Sequence, residues 1–158
     1  GWNVRFADTF AVFDVHRVPA DRKYWFLYEG TPAGGYDYRE FLWVTTAGAG
    51  EPLAEIRAGR DSIAYPTVQW GYVTKRGYPW ALVIALADGA QATSMFCRMN
   101  ADDNEPNPAT GMVVFGLGRG PETSSLLEGP HRLAAGFVSA DGGHEAIAAR
   151  ITAALAEL

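Results

Sequence analysis

The stretch WALVIALADGAQATSMFCRMN, residues Trp80–Asn100, holds two largely apolar runs on either side of Asp88 and Gly89. Asp-Gly is a preferred pair for the two-residue type I′ turn, because both central residues of that turn need a positive φ. The stretch therefore predicts a β-hairpin in which Ala87 lies opposite Ala90. No polar residue occurs in the first run, so it is predicted to be a central strand that is covered on both faces.

The only cysteine of the chain falls within this stretch. In the predicted hairpin, Cys97 lies opposite Trp80 on the more apolar face, while the neighbouring Arg98 points to the other face. A thiol that is buried without a cationic neighbour has a raised pKa and is unreactive. We therefore predict that Cys97 packs in the core, and a nucleophilic or redox role is the alternative.

Length and composition describe an ordinary globular chain. It has 158 residues, of which 48% are hydrophobic and 20% are charged, and we predict a single domain spanning residues 1–158. The formal net charge is −5 and the basic residues are scattered, which argues against a nucleic-acid-binding protein. No apolar run approaches the ~20 residues of a membrane-spanning helix, so membrane insertion is not expected.

Most of the chain has the pattern of β-strands joined by turns. Residues alternate between two faces over Phe10–Val18, and this strand is predicted to form a second hairpin with the aromatic run Lys23–Tyr28. Ser62–Arg76 is predicted to be one strand that Pro66 interrupts. The 18 glycines and 9 prolines fit many turns and disfavour an all-helical fold.

The chain closes with its clearest helical pattern. Asp141 is suited to cap this helix, and Glu145 suits the positive end of the helix dipole. One face of the helix carries its apolar residues, Ile147, Ile151, Ala154, Leu155 and Leu158. The predicted fold class is therefore α+β, a mainly antiparallel sheet of about six to eight strands packed by a C-terminal α-helix.

Side chains suited to acid–base chemistry are few and scattered. Asp14 and His16 stand two residues apart on one predicted strand, so an Asp–His pair is geometrically feasible there. The three histidines, His16, His131 and His144, lack a His or Cys partner at short zinc-ligand spacing. No serine occupies the nucleophile motif of the α/β-hydrolases. We predict no metal site and no cofactor.

Two loops carry weaker signals. Gly116–Pro121 follows an apolar run and could present backbone N–H groups to an anion, but it matches neither glycine-rich phosphate-binding motif. Asp102–Glu105 offers oxygen ligands for Ca²⁺ or Mg²⁺ without the ligand spacing of an EF-hand. The simpler interpretations are a turn that needs positive φ and a solvated acidic loop.

Aromatic residues are the strongest remaining signal, with five Trp, seven Tyr and eight Phe. Tyr and Trp combine apolar area with a hydrogen-bonding group, and contact surfaces are enriched in both. We predict a binding surface that includes Trp25, Tyr28, Tyr36, Tyr38 and Trp43. The alternative is that a Trp-rich sheet simply packs under the terminal helix.

These observations favour a non-catalytic binding or assembly module. It would use an aromatic-rich sheet face, with the loops at residues 29–35 and 101–111, to contact a protein partner or a second copy of itself. The alternative is a small enzyme or a small-ligand-binding α+β domain with a pocket between sheet and helix. The candidate residues of that alternative are Asp14, His16, His131 and Arg119.

Overall fold

The computed structural model describes residues 1–30, 41–46, 48–52, 62–99, 112–120 and 125–158. Within these ranges the chain forms thirteen β-strands and one α-helix: β1 (Trp2–Ala7), β2 (Phe10–Val15), β3 (Lys23–Tyr24), β4 (Phe26–Gly30), β5 (Phe41–Thr45), β6 (Gly48–Pro52), β7 (Ser62–Val68), β8 (Trp70–Lys75), β9 (Trp80–Leu86), β10 (Ala92–Met99), β11 (Met112–Leu117), β12 (Leu127–Glu128), β13 (His131–Ser139) and α1 (Gly143–Ala156).

The strands form a layered, antiparallel structure. The large sheet has seven strands in the order β1-β2-β13-β9-β8-β5-β6, and the small sheet has four in the order β4-β11-β10-β7. Strands β12 and β3 form a separate two-stranded ladder. The predicted α+β class with a mainly antiparallel sheet and a C-terminal helix is confirmed, with more strands than the six to eight expected.

The strand count rises because the chain crosses between sheets in the middle of predicted strands. Ser62–Arg76, predicted to be one strand, divides at Gln69 into β7 of the small sheet and β8 of the large sheet. Lys23–Tyr28 likewise divides into β3 and β4. Each division turns one run of alternating residues into two shorter strands that belong to different sheets.

Strand β9 is the centre of the large sheet, and the prediction that it is covered on both faces is confirmed. It pairs with β13 on one side and with β8 on the other. Leu82, Ile84 and Leu86 belong to the core between the two sheets, which we call the inter-sheet core. The alternate residues from Ala81 to Ala85 belong to a second core, on the side of the large sheet that α1 covers.

The predicted hairpin between the two halves of Trp80–Asn100 is wrong. Strand β10 pairs with β7 and β11 in the small sheet, so the turn at Asp88 carries the chain from one sheet to the other. Both edges of β9 are already occupied, one by β8, which directly precedes it in the chain, and the other by the distant β13. Gly89 has a φ of 79°, but Asp8 is the only non-glycine among the described residues with a positive φ, so Asp88 lacks the type I′ conformation.

The crossing also changes the position of Cys97. Phe96 lies in the inter-sheet core with Ile84, so Cys97 lies on the opposite face of β10 and not opposite Trp80. Its side chain is partly buried. Burial raises the pKa of the Cys97 thiol, and Glu29 adds to that effect while Arg119 opposes it. The raised pKa agrees with the prediction of an unreactive thiol.

The second predicted hairpin is also wrong, for the same reason. Strand β2 pairs with β1 and with β13, whereas β4 pairs with β11 in the small sheet. The true hairpin partner of β2 is β1, across a turn in which Asp8 has a φ of 44°. A short N-terminal strand therefore occupies the edge of the large sheet.

The terminal helix packs as its periodicity predicts. Ile147, Ile151 and Leu155 are its buried residues, and they contact the second core. The predicted cap is wrong: Gly142 occupies the N-cap position, and the Asp141 carboxylate accepts a hydrogen bond from the Ser139 hydroxyl instead. In the described part of the chain, no helix has the length and apolar character that crossing a bilayer requires.

Candidate functional site

The large sheet extends past the small sheet at strand β1. In the β1–β2 ladder, Val4 lies opposite Phe13, and Phe13 packs against the inter-sheet core. Residues that pair directly share a face, so Trp2, Val4 and Phe6 point to the side of the large sheet that the small sheet covers elsewhere. They are nevertheless 65%, 40% and 86% exposed.

The same face remains open at one end of the central strands. Phe137 pairs with Leu82 of the inter-sheet core, and Trp80 lies two residues before Leu82 on β9. Both side chains therefore share that face, and they are about half exposed. We call Trp2, Val4, Phe6, Trp80 and Phe137 together the uncovered face.

The predicted aromatic binding residues have very different environments. Trp43 is completely buried, with ring centroids 5.4 Å from Tyr65 and 5.3 Å from Phe96. It therefore belongs to the inter-sheet core and offers no contact surface, which corrects its assignment to a binding surface. Tyr28 is partly buried and packs 5.6 Å from Phe115.

Trp25 alone among the described members of that predicted set is well exposed, at 54%. The Arg119 guanidinium lies 5.7 Å from its ring centroid, a cation–π distance. Tyr36 and Tyr38 lie outside the described residues, as does the predicted loop at 101–111. Of the loop at 29–35, only Glu29 and Gly30 are described, at the end of β4.

The four residues of the enzyme alternative do not form one site. Asp14 is opposite Arg132 in the β2–β13 ladder, while His131 is opposite Val15. Because neighbouring residues alternate, Asp14 and His131 point to opposite faces of the large sheet. His16 is exposed beyond the end of β2, and Arg119 contacts Trp25.

Asp14 has a structural environment. Arg132 Nε donates to Asp14 Oδ1 at 2.7 Å, and Arg5 Nε lies 3.5 Å from Asp14 Oδ2. The hydrogen bond from Arg132, followed by the charges of both arginines, lowers the pKa of Asp14 against the opposing effect of burial. Both arginines also donate to the carbonyl of Leu158, so the cluster joins the helix end to the sheet.

His131 instead contacts the turn after β9. Its Nδ1 donates to Asp88 Oδ2 at 2.8 Å, and Asp88 also accepts from the N–H groups of Ala90 and Arg132. Burial opposes ionisation of Asp88, but these hydrogen bonds outweigh it and hold the pKa below its usual value. The Asp–His pair therefore holds the crossing between the sheets in place.

These two carboxylates predict how stability depends on pH. A carboxyl group whose pKa is lowered by folding stabilises the native state above its unfolded pKa of about 3.9, and that stabilisation is lost as pH falls through the lowered value. We expect the double variant Asp14→Asn, Asp88→Asn to lose less stability than the wild type when urea unfolding is compared at pH 6 and pH 2.5. An equal loss in both proteins would assign the acid sensitivity to other groups.

A shallow recess of about 410 Å³ lies between the β1–β2 turn and α1. It is lined by residues 7–10 and by Arg150, Ala153, Ala154, Glu157 and Leu158. The Arg150 guanidinium donates to the carbonyls of Ser139 and Asp141. None of Asp14, His16, His131 and Arg119 lines this recess.

The other candidate ligand sites gain no support from the described residues. Gly118, in the glycine-rich turn, has a φ of 81°, and its N–H donates to the carbonyl of Thr93. That N–H is therefore not available to an anion. The acidic stretch Asp102–Glu105 lies outside the described residues. Among the residues that are described, no group of three or more His, Cys, Asp or Glu side chains is placed to hold a metal ion.

The uncovered face was not found from the sequence, although part of its signal is visible there. Trp2, Val4 and Phe6 alternate with polar and charged residues, as on a strand with one apolar face. Such a pattern normally marks a buried face. Only the extent of the small sheet shows that no described residue of the second layer covers this face.

No protein-family model, curated protein or solved structure matches the chain. The function is therefore inferred from the geometry of its own residues.

Proposed function

We propose that this chain is a non-catalytic binding or assembly module that contacts protein through the uncovered face. The observation that carries the proposal is the grouping of two Trp, two other large apolar residues and one Val on one sheet face, all substantially exposed. Exposed apolar groups of this kind on a folded domain mark interaction sites, because leaving them in water is unfavourable.

The charged residues around the large sheet support a non-catalytic role. Asp14 is engaged by Arg132 and Arg5, and Asp88 is engaged by His131. Each pair joins secondary-structure elements that are distant in sequence. Their carboxylates therefore act in holding the fold, and neither lies with a nucleophile in the recess beside α1.

The composition of the face indicates the kind of partner. Trp and Phe side chains dominate the binding energy of many protein interfaces, because they bury large areas with little loss of side-chain entropy. A partner with an apolar groove or an apolar strand would fit this surface. The formal net charge of −5 additionally favours a basic partner over an acidic one.

A photo-crosslinking experiment tests the proposal. In one variant, benzoylphenylalanine replaces Phe137 on the uncovered face. In the control variant it replaces Leu42, which is 38% exposed and points to the opposite face of the large sheet. Irradiation of each tagged chain in its own source cells should give a discrete protein adduct from position 137 and none from position 42. Equal labelling from both positions, or no adduct at position 137, would contradict the proposal.

The alternative of a small-ligand site has one feature in its favour, the recess between the β1–β2 turn and α1. Arg150 and Glu157 supply both signs of charge there. Native mass spectrometry of gently purified protein separates the two functions. A monomer that retains a small molecule, and loses it when Ala153→Trp fills the recess, would favour the alternative.

A further inference from the structure

Strand β1 has a free backbone edge among the described residues, because it pairs with β2 alone. The carbonyl of Gly1 accepts a hydrogen bond from the N–H of His16 at 3.1 Å. In an antiparallel ladder, hydrogen-bonded and non-hydrogen-bonded pairs alternate, so Asn3 and Arg5 also bond to β2. The N–H and C=O groups of the residues between them point away from β2.

The residues with free backbone groups are the same ones that expose apolar side chains. Trp2, Val4 and Phe6 each offer one N–H donor and one C=O acceptor at the open edge. Natural edge strands are commonly protected by proline, by a bulge or by inward-pointing charge. Strand β1 has continuous register and no proline, and its only charged side chain is Arg5.

The charge of Arg5 does not protect this edge. Its Nε lies 3.5 Å from Asp14, and its terminal nitrogen donates to the carbonyl of Leu158 at 2.8 Å. Arg5 therefore points to the helix side of the large sheet, away from the uncovered face. The apolar side of β1 carries no charge that would repel another strand.

We propose that β1 pairs antiparallel with β1 of a second copy of this chain, centred on Val4, so that the two large sheets become one continuous sheet. The inference goes beyond the proposed function, because it uses only the β1 part of the uncovered face and leaves Trp80 and Phe137 open to the partner proposed above. The second copy would satisfy the open backbone groups and place its own apolar side chains beside those of the first, a mode of recognition known as β-augmentation.

The sequence of β1 is self-complementary in this register. Val4 lies opposite Val4 of the second copy, and Trp2 lies opposite its Phe6. The backbone N–H and C=O groups of Trp2, Val4 and Phe6 then form three hydrogen-bonded residue pairs across the two-fold axis. Arg5 lies opposite Asn3, so no like charges meet.

Neighbouring symmetric registers are less favourable. Centring the pair on Arg5 would place two guanidinium groups directly opposite each other, and like charges at that position are destabilising. Centring it on Phe6 would leave Trp2 without a partner on the second strand. Of these three registers, the one centred on Val4 is therefore the most favourable.

The size of the contact predicts a weak, reversible dimer. With Trp2 65% exposed and Phe6 86% exposed, the apolar side chains of both β1 strands together expose roughly 800 Å², and pairing at the strand edge buries only the sides that meet. The buried area therefore lies below the standard size of stable interfaces, so we expect a weak dimer that dissociates on dilution. In this dimer, strands β1 and β2 lie between Phe137 on β13 and the second copy.

Sedimentation velocity on the wild-type chain and three variants tests the pairing. The wild type should reach twice the chain mass as its concentration rises to about 200 µM. Val4→Lys and Val4→Glu should each weaken dimerisation by at least about tenfold, because each places like charges on the two-fold axis. An equimolar mixture of the two should dimerise again, since only the heterodimer pairs opposite charges. Leu42→Ser, on strand β5 near the other edge of the large sheet, is the control and should dimerise like the wild type.

Each departure from this pattern overturns the pairing. A wild type that stays monomeric excludes it, and a Val4→Lys chain that dimerises normally assigns the contact to another surface. A mixture that stays monomeric excludes the register centred on Val4. If the wild type is monomeric and position 137 forms an adduct with another protein, the pairing is excluded and the proposed function is supported. If the wild type dimerises and position 137 forms no such adduct, the pairing is supported and the proposed function is excluded.

Discussion

Replacing Trp43 with alanine should lower the free energy of unfolding by about 3–5 kcal/mol. The indole is completely buried between the sheets, in contact with Tyr65 and Phe96, so its removal leaves a large cavity in the inter-sheet core. Urea unfolding followed by circular dichroism measures the change.

Trp25→Ala is the matched control, because the same side chain is removed from a site where it is 54% exposed. Its loss removes mainly a contact with Arg119, which is worth about 0.5–1 kcal/mol. Trp43→Phe is a second control. The indole N–H of Trp43 has no hydrogen-bond partner among the described residues, so this variant should lose less than about 2 kcal/mol. Equal losses for Trp43→Ala and Trp25→Ala would contradict the assignment of Trp43 to the core.

Gly136→Ala should destabilise the fold by about 3 kcal/mol, at the upper end of the range for overpacking. A Cβ at this position would lie 1.9 Å from the carbonyl oxygen of Thr9 and 2.9 Å from the Cα of Phe10. Both are backbone atoms of the neighbouring chain, so they cannot move aside without separating β2 from β13. Thermal unfolding and urea unfolding both report this loss.

Gly89→Ala provides the contrast for Gly136. Gly89 has a φ of 79°, but a Cβ there meets nothing within 4 Å. The cost is then conformational only, about 1–2 kcal/mol for a left-handed residue. If Gly89→Ala were the more damaging of the two, the close approach of β2 to β13 would not be the reason for glycine at position 136.

The local features of the fold could be read from the sequence. The run from Trp80 to Leu86 carries no polar side chain, and it forms a strand with a core on each face. The spacing of Ile147, Ile151 and Leu155 placed the buried face of α1 correctly. Both patterns depend on the residues of one element and on its own periodicity.

Strand pairing could not be read in the same way. A hairpin and a crossing between two sheets both need two strands and a short turn, and their residue patterns are alike. The choice at Asp88 depends on whether β8 and β13 already occupy the edges of β9. Strand β8 directly precedes β9, but β13 lies far beyond it in the chain, so the decision belongs to tertiary structure.

The same limit explains the aromatic residues. Trp25 and Trp43 are chemically identical, and nothing in their neighbours along the chain separates an exposed ring from a buried one. Trp43 is buried because Phe96 of the small sheet packs against it. Trp2 and Phe6 are exposed because β1 lies beyond the small sheet, and no local pattern records where a second layer ends.

The position of β13 has a consequence for the order of folding during synthesis. Strand β13 lies between β2 and β9, although it follows both of them by many residues. Until residues 131–139 have left the ribosome, the N-terminal hairpin has no neighbour to which it can attach, and β9 has one bare edge. From the emergence of β9 until that of β13, the growing chain therefore carries two unpaired strand edges, and aggregation competes with folding during that interval. Such late closure predicts slow folding in vitro, and a chaperone that binds extended apolar segments would act during that interval.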